Sequence, residues 1–126
     1  MSIARFAPLL LLAVPAALAA QSMPVATFLA KANVLERKGP LAMFSGDLKL
    51  LLGQVKGDFA QIRQERLSAK AGGKPAPFCP PDVGVKLSNR DIMAAMQAVP
   101  QADRARTDTR AALRAMLIRR YPCPKT

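Results

Sequence analysis

Two cysteines carry the clearest chemistry in this chain. Cys79 lies in Pro77-Phe78-Cys79-Pro80-Pro81 and Cys123 in Tyr121-Pro122-Cys123-Pro124. They are not a C-x-x-C redox pair, and two thiols alone do not make a structural zinc site. The prolines beside each one stiffen the backbone, which suits a fixed bridge. In an exported chain two such residues are expected to join as a disulfide. Closing a loop of about 45 residues would contribute roughly 4 kcal/mol in the chain-entropy model. That is a large share of the ~5–15 kcal/mol that holds a typical domain.

Other reactive groups are sparse. The 126 residues include no histidine, so a Ser–His or Cys–His nucleophile pair cannot form. No glycine-rich phosphate loop is present. The acidic residues Asp47, Asp58, Asp82, Asp91, Asp103 and Asp108 are scattered, and several stand where helices should begin, a capping position. No catalytic, cofactor-binding or metal-binding residue is expected, and the chain does not read as an enzyme. Met93, Met96 and Met116 read as core filler.

The expectation of a disulfide leans on the first twenty residues. Arg5 supplies a positive start, and Phe6 to Val14 an apolar run centred on Leu9-Leu10-Leu11-Leu12. Pro15 breaks the run, and Ala17-Leu18-Ala19-Ala20 offers small residues for a signal peptidase. This is the pattern of a signal peptide, 1–20, cleaved near Ala19-Ala20. The run is too short to span a bilayer core of ~30 Å. The expected location is the periplasm. Net charge is +11, and +10 without Arg5. Such a charge favours an anionic partner. The few aromatic residues are not interleaved with the basic ones, so no nucleic-acid stacking platform is indicated. Contact with a membrane would be peripheral at most.

The elements that must hold the cysteines read as helices. The fold class is all-α: one small domain, 21–126, a bundle of four to five helices with one disulfide. Ser22 and Pro24 suit a first helix start, and Val25, Phe28, Leu29, Ala32 and Leu35 recur at helical spacing up to Gly39-Pro40. A helical turn at 41–44 follows. Ser45 caps a long helix reaching about Ala69. Its apolar positions Leu48, Leu52, Val55, Phe59 and Ile62 read as a seam facing a partner helix. Lys49, Lys56, Arg63 and Lys70 repeat every seven residues along one side, either a solvated surface or a docking stripe for an acidic partner. Asp58 and Glu65 fall on the other side. Residues 71–77 are a glycine- and proline-rich break. Val83, Val85 and Leu87 alternate as a short strand would. Ser88-Asn89-Arg90-Asp91 reads as a capping box opening a helix that Pro100 stops. Thr107 or Asp108 caps the last helix, whose inner face is Ala112, Leu113, Met116 and Leu117. Arg104, Arg106, Arg110 and Arg114 run from the 101–106 loop along its outer face and are the candidate partner-binding residues.

The stretch 78–124 resembles the C-terminal signature of the Rap/Tai-type immunity proteins of type VI secretion. The resemblance rests on Phe78-Cys79-Pro80-Pro81, on Val83 and Val85, on the capped helix with its Pro100 stop, and on Ala112-Leu113 followed by Tyr121-Pro122-Cys123-Pro124. It implies a helical periplasmic protein that neutralises a cell-wall amidase, with Cys79 and Cys123 bridged. The first half, 22–71, does not share the likeness. The expected function is that of an immunity-like binding protein occluding a partner protein, with a type VI secreted peptidoglycan amidase effector as its specific form. The competing expectation is a basic structural or chaperone-like module that binds anionic envelope surfaces.

Overall fold

The structure is a computed structural model that describes residues 22–125. The leader and its cleavage region lie outside the described residues. Helix α1 (Val25–Lys38) starts without a side-chain cap: Pro24, not Ser22, holds the N-cap position. The reason lies in the tertiary fold. The backbone N–H groups of Val25 and Ala26 donate to the carbonyls of Thr107 (2.8 Å) and Arg104 (3.0 Å). Thr109 N–H donates in turn to the Met23 carbonyl at 2.8 Å, and Pro24 bridges antiparallel to Asp108. A loop distant in sequence thus satisfies the helix donors that a serine would otherwise serve.

Gly39 ends α1 at φ 56°, a value that favours glycine, and a 3-10 turn, Gly39–Phe44, follows. Helix α2 (Gly46–Ala71) is the longest element at 26 residues. Ser45 caps it by accepting from the Asp47 N–H at 3.3 Å. Gly72 and Gly73 end it, the latter at φ 70°. Helix α3 (Asn89–Gln97) opens on the expected capping box, with Ser88 and Asp91 satisfying each other's backbone donors. Helix α4 (Thr109–Arg120) is capped by Asp108, which accepts from the Ala111 N–H at 2.7 Å.

The four α-helices among the described residues share one apolar core. Val25, Met96 and Leu113 are its most deeply buried apolar residues with Ile62, and Phe78 joins them from the segment between α2 and α3. Helix α4 packs against α1, α2 and α3. Its inner face is the expected one, and Met96 and Met116 are buried filler. Val83, Val85 and Leu87 form no strand. Gly84 takes φ 89° within a turn, and among the described residues no second strand lies alongside to complete a ladder.

The seam of α2 needs correction. Leu51, Val55, Asp58 and Ile62 are buried, whereas Leu52 is 53% exposed and Leu48 and Phe59 are only half-buried. The helix is rotated relative to the apolar count because a charged residue, Asp58, occupies a fully buried position.

Candidate functional site

Asp58 is buried because α4 brings it partners. Thr109, the first residue of α4, donates its hydroxyl to Asp58 Oδ2 at 2.5 Å. Gln54, one turn back on α2, donates its amide to Oδ1 at 3.1 Å. The Arg110 Nε lies 3.5 Å from the same oxygen. A buried carboxylate is tolerable only with such a set of donors and a counter-charge. One helical turn further, Arg114 holds Glu65 bidentately at 3.0 and 2.9 Å. The inner flank of α2 is therefore an ionic as well as an apolar seam against α4.

This arrangement uses the arginines singled out in the sequence. Arg110 and Arg114 turn toward α2 and pair with its carboxylates, Arg114 at the partly solvated edge. Arg104 donates to the carbonyls of Val99 (2.9 Å) and Gln97 (3.0 Å), closing the end of α3 where the helix dipole is negative. Arg106 remains exposed and pairs with Asp103. The expected outward cluster of four is not formed, because each guanidinium serves an acceptor within the chain. The sequence signal that would have shown this is the alternative 4-3-4 spacing Leu51, Val55, Asp58, Ile62, set against Thr109 and Arg110 at the start of α4.

The two cysteines are joined, as expected, across 44 positions with their Cα atoms 4.8 Å apart. Tyr121 adds a backbone bond, accepting from the Cys79 N–H at 2.8 Å. The bridge fixes the extended segment 72–88 to the end of α4. Phe78 is thereby buried, with the Arg66 guanidinium 5.8 Å over its ring.

That segment stands apart from the outer flank of α2 and leaves a hollow of about 530 Å³. Its lining is apolar: Phe59, Ile62, Phe78, Leu87, Ile92 and Leu117, with Pro80 and Pro81 on the wall and Arg63 and Arg66 at the rim. A second hollow of about 200 Å³ lies between α1, α2 and α3, lined by Phe28, Leu35, Leu48, Leu52, Val55 and Met93. Both hollows touch Ile92, so they abut along one side of α2.

The outer flank has a regular order. Lys49, Leu52, Lys56, Phe59, Arg63, Arg66 and Lys70 follow one another at steps of three and four. Lys49, Lys56, Arg63 and Lys70 are exposed. Among the described residues none of these five cations forms an ion pair. Near the start of α2, the 3-10 turn exposes Leu41, Met43 and Phe44, the last 88% open.

Two further carboxylates tie elements together. Asp47 pairs with Lys31 at 3.0 Å and Asp91 with Arg120 at 3.0 Å. The Ser88 backbone N–H, then the Ser88 hydroxyl, then Arg120 hold the Asp91 carboxyl below its ordinary value. Among the described residues no three His, Cys, Asp or Glu side chains gather as a metal site, and no helix is long and apolar enough to cross a membrane. Comparison with protein-family models, with curated proteins and with solved structures finds no match to this chain.

Proposed function

We propose that the chain is an exported, periplasmic binding protein that occludes a partner protein and catalyses no reaction itself. One observation carries the reading: an open apolar groove beside a helix flank whose cations have no ion-pair partner among the described residues. Apolar hollows of this kind supply affinity when filled, and unpaired charge at their edge steers approach and sets register. The disulfide and the leader pattern favour an oxidising compartment. The carboxylates argue for binding over catalysis, since Asp58, Glu65, Asp91 and Asp108 are each engaged in holding helices.

The specific form of the proposal is immunity against a type VI secreted peptidoglycan amidase, on the likeness of 78–124 to the Rap/Tai-type proteins. The groove wall and the bridge both belong to that stretch. Co-expression with a periplasmic amidase of this class is the test. Protection from lysis that disappears with Leu52→Asp supports the immunity form. Unchanged lysis with a stably folded protein removes it.

The cations on α2 also favour a second reading, a basic module on anionic envelope surfaces. Salt separates the two. Attachment by charge alone should fail as screening shortens to ~8 Å at physiological ionic strength. A shape-matched protein complex should persist.

A further inference from the structure

The outer flank of α2 has a period, and the period specifies a ligand shape. Its basic and apolar positions, exposed or half-buried, recur every 3.5 residues on average, from Lys49 to Lys70. That is the spacing by which one helix presents a continuous line to another crossing it at about +20°. On this side α2 and α3 stand apart with the two hollows between them, while α4 packs on the opposite flank through Asp58 and Glu65. The line runs ~32 Å at 1.5 Å per residue, and the two hollows that meet at Ile92 lie along it.

We infer that this flank is the seat of an acidic amphipathic helix supplied by the partner protein. The inference rests on the binding reading above and names the partner's contacting element. Apolar side chains of the incoming helix, at i, i+3 and i+7, fill the hollows beside Leu52 and Phe59. Carboxylates on its margins meet Lys49, Lys56, Arg63 and Lys70. All the charge on the seam has one sign, so the complementary helix is acidic. A β-strand would need an open sheet edge, and the described residues contain no sheet. Exposed ion pairs are individually worth only ~0.2–1 kcal/mol. Charge therefore sets polarity and register, while the apolar contacts hold the helix in place.

The test uses a synthetic peptide of about 21 residues, three heptads long, with leucine at 3-4 spacing and glutamate beside it. Its controls are the same composition scrambled and vesicles of anionic phosphatidylglycerol. Fluorescence anisotropy, circular dichroism of the peptide and NMR shifts on the protein are read together. The expected result is saturable binding, gain of helix by the peptide, and shifts between Lys49 and Lys70. Leu52→Asp and the double variant Lys56→Glu/Arg63→Glu should each weaken binding at least about tenfold, roughly 1.4 kcal/mol. Both sets of side chains are exposed, so an unchanged melting temperature verifies that the fold survives. Arg37→Glu, an exposed site off the flank, should leave affinity as it was. Equal binding of the scrambled peptide, binding to vesicles only, or no binding at all overturns the inference. Crosslinking in periplasmic extract separates this failure from that of the broader reading. A stoichiometric protein complex whose footprint avoids α2 removes the helix but leaves a binding protein. Absence of any protein complex removes both.

Discussion

The two flanks of α2 carry charge of opposite sign and solve opposite problems. The inner flank carries Asp58 and Glu65, and each is matched by donors from α4 at hydrogen-bonding distance. The outer flank carries five cations and no ion pair among the described residues. Charge inside an interface must be matched at the time of folding, because leaving it bare costs several kcal/mol. Charge at an open surface is solvated and costs almost nothing until a partner arrives. The difference teaches that the inner flank encodes which way α4 docks, and the outer flank is available to something else.

Replacing Asp58 should break this comparison most sharply. Asp58→Ala removes the acceptor shared by Thr109, Gln54 and Arg110, and a loss of about 3–5 kcal/mol is expected. Leu52→Asp, six residues away on the other flank, should shift stability by no more than about 0.5 kcal/mol. Denaturant unfolding of the two variants checks the contrast, and comparable losses would mean the flanks are not distinct.

The bridge holds the wall of the outer groove. Cys79→Ala and Cys123→Ala should each cost about 2–4 kcal/mol, and the double replacement little more than either. Additive losses in the melting curves would indicate two independent thiols. Hydrogen exchange should rise first in the 72–88 segment and only later across α2 and α4.

The Arg114–Glu65 pair is a weaker link, because both side chains are about one-third exposed, 34% and 38%. A double-mutant cycle should yield roughly 0.2–1 kcal/mol. A larger coupling would mark the pair as part of the Asp58 network rather than its solvated margin.

The smallest effect concerns acid stability at α3. The Asp91 carboxyl is held below its ordinary value by Ser88 and Arg120. Folding thus favours the ionised form. Its contribution is present above about pH 4, where the unfolded carboxyl is ionised, and is lost as pH falls through the lowered folded value. Wild type and Asp91→Asn should differ most in melting temperature near neutral pH and converge in acid. A gap that widens toward low pH would reverse the assigned sign.

Much of the fold was legible. The turns Gly39-Pro40 and Gly72-Gly73, the caps Ser45, Ser88 and Asp108, and the inner face of α4 all follow from local rules: backbone freedom, unpaired N–H groups and helical period. The rotation of α2 was not legible. Counting apolar residues puts Leu52 and Phe59 inward and Asp58 outward, and that count treats a carboxylate as a surface group. Only the approach of Thr109 and Arg110, some fifty residues later, makes Asp58 a core residue. The same approach takes Arg110 and Arg114 out of the expected outward cluster. The candidate site was half visible: its seven-residue repeat of cations stands in the sequence, while its larger hollow requires the 72–88 segment to be bridged alongside α2 and its smaller one the packing of α1 and α3.

By itself the sequence determined the helical class, the positions where helices start and stop, the excess of positive charge and the pairing of its two cysteines. Each depends on neighbours a few residues away, on totals, or on there being no other thiol to choose. The tertiary structure alone decided which flank of α2 is core and which is open. That choice compares burying a carboxylate with its donors against exposing two apolar side chains, and the donors arrive only when α4 packs against α2.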